Sequence, residues 1–344
     1  MITENRTPAP VIARNWLKLG ITPLPLPPAR KAAVIPWKDL IITENNIEDN
    51  FTPDANVAVR LGDGLVDIDL DCDEAVALGQ FLFTDANWTF GRDDKTRHIM
   101  IRCRNITPFK IQWPRSIKTA QDKKFIVELL GDGNYVVGPG SIHEGTAQPI
   151  TWYKKPDKPA LGLSPKELTR RINRLAGAAI LVRSWSDYEG GRHFVIRDLS
   201  GACIHAGWSE FEIHQHIGAI LHCVNDPEIR DRKKAVDDTL TKAAAGEAIT
   251  GFNSLAEYLA PDVADALKTL WGLSMDVMDT HTIGGTPITA AAPAVSEWPE
   301  LLPFDDSIQV AEHAFPVDGL GPIMAAAVRD GIAVQLVPEA LAAQ

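Results

Sequence analysis

The chain has 344 residues, 45% of them apolar and 23% charged, the composition of an ordinary globular protein with room for roughly two domains. A net charge of -11 argues on bulk alone against a nucleic-acid partner, no apolar run approaches the roughly 20 residues of a membrane span, and Cys72, Cys103, Cys203 and Cys223 lack the paired spacing of a zinc site. The opening MITENRTPAP has neither the basic nor the apolar region of a signal peptide, so free thiols in a reducing cytosol are expected.

In residues 8–19, Val11, Ile12, Trp16 and Leu17 recur at helical spacing, and Gly20 stops the helix. The prolines of ITPLPLPPARKAAVIPW exclude helix and favour an extended edge strand or a polyproline run around Lys31. Residues 57–61 and 65–71 flank a Gly-Asp-Gly turn and read as a hairpin. Its second strand alternates Val66, Ile68 and Leu70 with Asp67, Asp69 and Asp71. Alternate side chains of a strand point to opposite faces, so an apolar face can enter a core while three carboxylates line the other. Such a row is either a solvated face or the seat of a hard cation such as Mg2+ or Mn2+ that relieves the repulsion. Residues 73–83 follow as a helix with an acidic first turn.

Phe90-Gly91-Arg92 closes a strand, Asp93 to Lys95 turn, and a new strand begins near His98. From Arg92 to Lys124 ten bases face three acids, a strongly basic stretch in an acidic chain. Arg92, Thr96, Arg97 and His98 lie close together in it and suit a triphosphate through charge-assisted hydrogen bonds. Phe125 to Leu130 is an apolar strand with one acid, Glu128, which needs a partner: a cation shared with Asp69 and Asp71, or a buried ion pair. A turn at Gly131 to Gly133 leads through Tyr135-Val136-Val137 to a glycine-rich loop holding Ser141 and His143, where backbone can approach a ligand closely.

This order of motifs resembles the primase-polymerase branch of the archaeo-eukaryotic primase superfamily, the N-terminal module of many phage and plasmid replication proteins. The resemblance spans roughly residues 10 to 155 and rests on the DID/DLD strand, FGR with Thr96-Arg97-His98, Val127-Glu128 in VELLGDG, and VVGPGSIHEGT. It implies an α/β (α+β) catalytic domain over residues 1–158 with an RNA-recognition-like sheet packed beside a second α/β unit, the site lying in the cleft between. It implies a template-directed nucleotidyltransferase that uses Mg2+ or Mn2+, with Asp69, Asp71, Glu128 and His98 as catalytic residues. The three acids would bind the metals. Spacing leaves Asp67 open as an alternative to Asp71, while counting from Gly64 favours the Asp69/Asp71 pair. Thr stands where Ser is commoner in the second motif, and Glu where Asp is commoner in the third. His98, Thr96, Arg92, Ser141, His143 and Lys31 would form the nucleotide pocket. Arg97, Arg102, Arg104, Lys123 and Lys124 would contact DNA.

TWYKKPDKPALGLSPKEL reads as a linker. Helices are then expected over 165–181, 192–206, 209–224 and within NDPEIRDRKKAVDDTLTKAAAGE, a small all-α domain over 159–278. It resembles the helical domain that often follows primase-polymerase modules. Residues 279–344 read as a flexible linker and the start of a helicase-type module, although no GxxxxGK[ST] loop occurs. The expected partners are a single-stranded DNA template, NTP or dNTP, and a replicative helicase in cis or trans, with no membrane. A metal-dependent nuclease and a non-catalytic recruitment module are the rival readings.

Overall fold

The computed structural model describes residues 6–119 and 124–273, all within one compact unit. The expected tail, 279–344, lies outside the described residues. The order is α1 (Ala9–Lys18), β1 (Pro23–Leu26), α2 (Ile47–Asn50), β2 (Asn56–Arg60), β3 (Leu65–Leu70), α3 (Asp73–Leu82), β4 (Thr89–Arg92), β5 (Lys95–Arg102), β6 (Phe109–Gln112), β7 (Phe125–Leu130), β8 (Tyr135–Val137) and β9 (Thr151–Lys154). Helices α4 (Pro165–Arg183), α5 (Arg192–His205), α6 (Glu210–Cys223), α7 (Ile229–Ala244), α8 (Phe252–Ala256) and α9 (Pro261–Trp271) follow. Among the described residues no helix is long and apolar enough to cross a membrane.

The strands form two antiparallel sheets, one of three strands in the order β1-β2-β8 and one of six in the order β6-β7-β3-β5-β4-β9. This is the expected α/β plan with a helical C-terminal part. Two local expectations fail. Residues 57–61 and 65–71 are not a hairpin: β2 and β3 belong to different sheets. Gly62, Asp63 and Gly64 all take positive φ (131°, 51° and 81°) and swing the chain from one sheet to the other. The supposed linker opens with β9, which pairs with β4, and its later part is strapped to the end of β5, where Arg102 bonds Leu161 and Leu163 through the backbone.

The alternation of β3 divides the interior. Val66, Ile68 and Leu70 face a large core with Ile99 and Ile101 of β5, Leu129 of β7, and helices α3 and α4. That core runs without a break through Leu199, Ile217, Leu255 and Trp271 of the C-terminal helices. Leu65 faces the other way, into a second core with Val57, Val59, Phe90, Met100 and Trp16 of α1, which joins the small sheet to the large one. Asp67 and Asp69 lie on this second face, on the way from the core to its open end.

Candidate active site

The register of three strands assembles the acids. On β3, Asp69 stands opposite His98 of β5 on one side and Glu128 of β7 on the other. Directly paired residues share a face, so Asp69, His98 and Glu128 form a row across the sheet. Asp71 follows at the strand's end, its amide donating to Ile126 O at 3.1 Å. Burial, then the charges of Asp69 and Glu128, push the Asp71 carboxyl up to about 7. A carboxyl held that far from its ordinary value by burial and by like charges is where an added cation gains most. The donors are all carboxylate oxygens, which suits a hard divalent ion such as Mg2+ or Mn2+. Among the described residues no three His, Cys, Asp or Glu groups already form a metal cage. Glu128 is engaged instead by Lys110 of β6, Nζ to Oε1 at 2.7 Å, and would leave that partner to join Asp69 and Asp71.

Asp67, the alternative ligand, lies deeper. It is fully buried, and its Oδ2 meets His98 Nδ1 at 2.9 Å. Asp69 Oδ1 is 3.6 Å from the same nitrogen. Phe90 stacks on the imidazole at 4.7 Å between centroids and 19° between planes. Burial alone would lower the His98 pKa, but Asp69 and Asp67 outweigh it and raise it to about 9. His98 is therefore a cation at neutral pH, and among the described residues its Nε2 makes no hydrogen bond.

Cations gather on the β5 and β4 side. Arg92 ends β4, and burial followed by the Arg97 charge lowers its pKa. The Nε atoms of Arg92 and Arg97 are both buried without a partner, as expected of guanidinium groups that await an anion. Arg97 also lies 3.7 Å from Asp73. His143 is half-buried beside this group; burial, then Arg92, Lys31, Arg97 and His98, depress its pKa. Thr96 sits on β5 between Lys95 and Arg97, opposite Gly91.

Other residues named from the sequence fall elsewhere. Ser141 is fully buried; its hydroxyl accepts from Val57 N at 2.9 Å and donates to Val57 O at 3.1 Å, so it holds the loop and leaves the pocket to His143. Arg102 stands opposite Leu65, four residues along β5 from His98, or roughly 13 Å at the usual strand rise. Arg104 packs beside Gly64 at that same far end. Lys124 is exposed just before β7, at the Asp71 end, and Lys123 lies outside the described residues.

The structure adds Asn56, which the sequence showed only as an Asn ahead of the acidic strand. Fully buried, it accepts from Ile142 N at 2.9 Å and donates to Ile142 O at 2.7 Å and Arg30 O at 3.0 Å. One amide thus fixes both the loop that carries His143 and the loop that carries Lys31. Arg6 reinforces it, donating to Gly140 O, Ala55 O and Asn56 Oδ1.

Residues 13–170 match the family model of the N-terminal domain of bifunctional DNA primase/polymerases, a match that takes in both sheets and ends in the first turns of α4. The chain therefore carries a domain of the primase-polymerase family, a family of nucleotidyltransferases that act in DNA replication. No curated protein matches the chain.

Proposed function

We propose that the protein is a template-directed DNA primase-polymerase of phage, prophage or plasmid type, working in the bacterial cytosol by a two-metal mechanism. One observation carries the reading: Asp69 and Glu128 stand side by side where β3 and β7 pair, Asp71 follows at the strand's end, and on β5 and β4 lie His98 and two arginines, Arg97 and Arg92, whose Nε atoms are buried without a hydrogen bond. Asp69, Asp71 and Glu128 would hold Mg2+ or Mn2+, which lowers the pKa of a bound hydroxyl and neutralises a leaving pyrophosphate. The chain's own groups do the rest. His98 presents Nε2 to the polyphosphate, with its ring fixed by Asp67 and Phe90. Arg92 and Arg97 supply the fixed positive field that charge leaving with the pyrophosphate requires. His143 and Lys31, tied to each other through Asn56, close the nucleotide side. The catalytic domain is assigned to residues 1–158 and the helical domain to 159–278. A single-stranded DNA template, NTP or dNTP, and a helicase in cis or trans are the proposed partners.

The test is incubation with a single-stranded template, labelled nucleotides and Mn2+, with and without a primer, beside Glu128→Ala. Extension or de novo products in the wild type that vanish in the variant are expected. Template shortened without products would replace this reading with a nuclease, and a folded protein that does neither would make it a recruitment module.

A further inference from the structure

The strand order gives the site a left and a right. The cations proposed for the triphosphate, His98, Arg97 and Arg92, lie on β5 and β4, to one side of the acids. On the other side the sheet ends at β6, an edge strand. Here Lys110 stands opposite Glu128. The chain leaving β6 carries Arg115 and Lys118, and Lys124 precedes β7 on its return. All four bases are exposed, and residues 109–119 and 124 contain no acid.

This rim is a built surface. The Arg183 guanidinium lies 4.5 Å over the Trp113 ring and donates to Lys118 O at 3.4 Å. Arg183 is itself clamped by Glu74. The Ser116 amide donates to Asp262 Oδ2 at 2.8 Å, which moors the loop to the start of α9. The backbone that carries this basic rim is thus held in place, and among the described residues only Lys110 of its four bases is in an ion pair, with Glu128.

Transfer at a phosphorus requires the attacking and leaving oxygens to lie roughly in line, on opposite sides of the atom attacked. If the pyrophosphate leaves toward β5 and β4, the attacking 3′-hydroxyl must arrive from the β7 and β6 side. A nucleic-acid strand that brings a 3′-hydroxyl also brings its phosphates, and these need cations along the approach. We infer that the β6 rim, formed by Lys110, Arg115, Lys118 and Lys124, binds the backbone of the strand whose 3′-end is extended. The inference rests on the proposed nucleotidyl-transfer reading, which sets the direction of the triphosphate.

The experiment uses the full chain and a fluorescent primer annealed to a longer template. Binding is measured over a range of salt concentrations, and primer extension gives KM for the primer-template. The wild type is compared with Arg115→Glu/Lys118→Glu/Lys124→Glu and with a control of equal charge change elsewhere, Lys18→Glu/Lys166→Glu/Lys268→Glu. The rim variant should bind at least about tenfold more weakly at ~0.1 M salt, with a log-log salt slope shallower by about two, since each lost phosphate contact removes a little under one. Its KM for primer-template should rise, while binding of a fluorescent dNTP with Mn2+ stays at the wild-type value. A milder Arg115→Gln/Lys118→Gln/Lys124→Gln set should fall between, and thermal melts check that all remain folded. A rim variant indistinguishable from the control, in a wild type that extends primers, overturns the rim and leaves the catalytic reading intact. A wild type that incorporates no nucleotide overturns the catalytic reading, and the inference with it.

Discussion

Asp67 shares a face with Asp69 but lies deeper, bonded to His98. Its carboxylate has no exposure, a single partner in His98, and an Oδ1 with none. Removing one partner of a buried ion pair costs far more than the pair's net contribution, typically about 3 kcal/mol or more. His98→Ala should therefore cost about 3 kcal/mol of stability by urea denaturation, and His98→Ala/Asp67→Asn should recover part of it. Equal stability in the single and double variants would show that the pair is not coupled. Asp69→Asn is the contrast: Asp69 is only half-buried, so incorporation should stop while the melting temperature changes little. The alternation that brought the acids to one face was legible in the sequence, because a period of two is local information. Depth was not, since it depends on which second sheet covers that face. The same distinction separates Ser141 from His143: both sit in one glycine-rich loop, but Asn56 and Val57 turn the first inward.

Among the elements, the β4–β5 hairpin positions the most chemistry per residue. Asp93 and Asp94 both take positive φ, 56° and 53°, which makes a tight turn whose twist suits paired strands. Next to it the register slips between Phe90 and Gly91, and a Cβ on Gly91 would lie 2.1 Å from Lys95 O. Backbone cannot yield as a flexible side chain can, so Gly91→Ala should destabilise the fold by about 3 kcal/mol and displace Arg92 and His98 together. Its denaturation midpoint and dNTP affinity should therefore drop in parallel; an unchanged midpoint would mean that the hairpin relaxes around the methyl. Strand positions were readable here because turn residues bracket them. Partners were less so. The hairpin expected between residues 57–61 and 65–71 divides between two sheets, and β9 hides in lysine- and proline-rich text because its side chains alternate over only four residues. The basic stretch from Arg92 to Lys124 is continuous in sequence but scattered in space. The eight-residue strand β5 carries His98 near one of its ends and Arg102 at the other, so charge close along the chain does not become one surface.

Across the whole unit, the joint between α3, α4 and α6 sets the response to acid. His216 is buried against Trp208 and donates through Nδ1 to Glu212 O; burial lowers its pKa to about 4. The unfolded chain then binds a proton more readily than the folded one between the ordinary imidazole value and about 4. Stability should be complete above pH 6.5 and fall as pH drops toward 4, by about 3 kcal/mol at most from this group. Glu212, held by Ser209, Arg170 and Arg174 despite its partial burial, has its pKa lowered to about 2 and extends the loss below pH 4.5. Melting temperatures of wild type and His216→Gln should converge as pH falls from 7 to 4, and parallel curves would remove His216 as the cause. Helices α4 to α7 were plain in the sequence from their spacing and caps, whereas α8 and α9 were not singled out. The attachment of the helices was not plain, because an apolar stripe does not name the surface it will cover. That attachment bears on inheritance. The interior that begins under Ile68 and Ile99 ends under Leu255 and Trp271, so a genetic crossover near residue 158 would join a sheet from one parent to helices from another across a shared interior. Here the two parts must change together, and each sets which partners the other can accept.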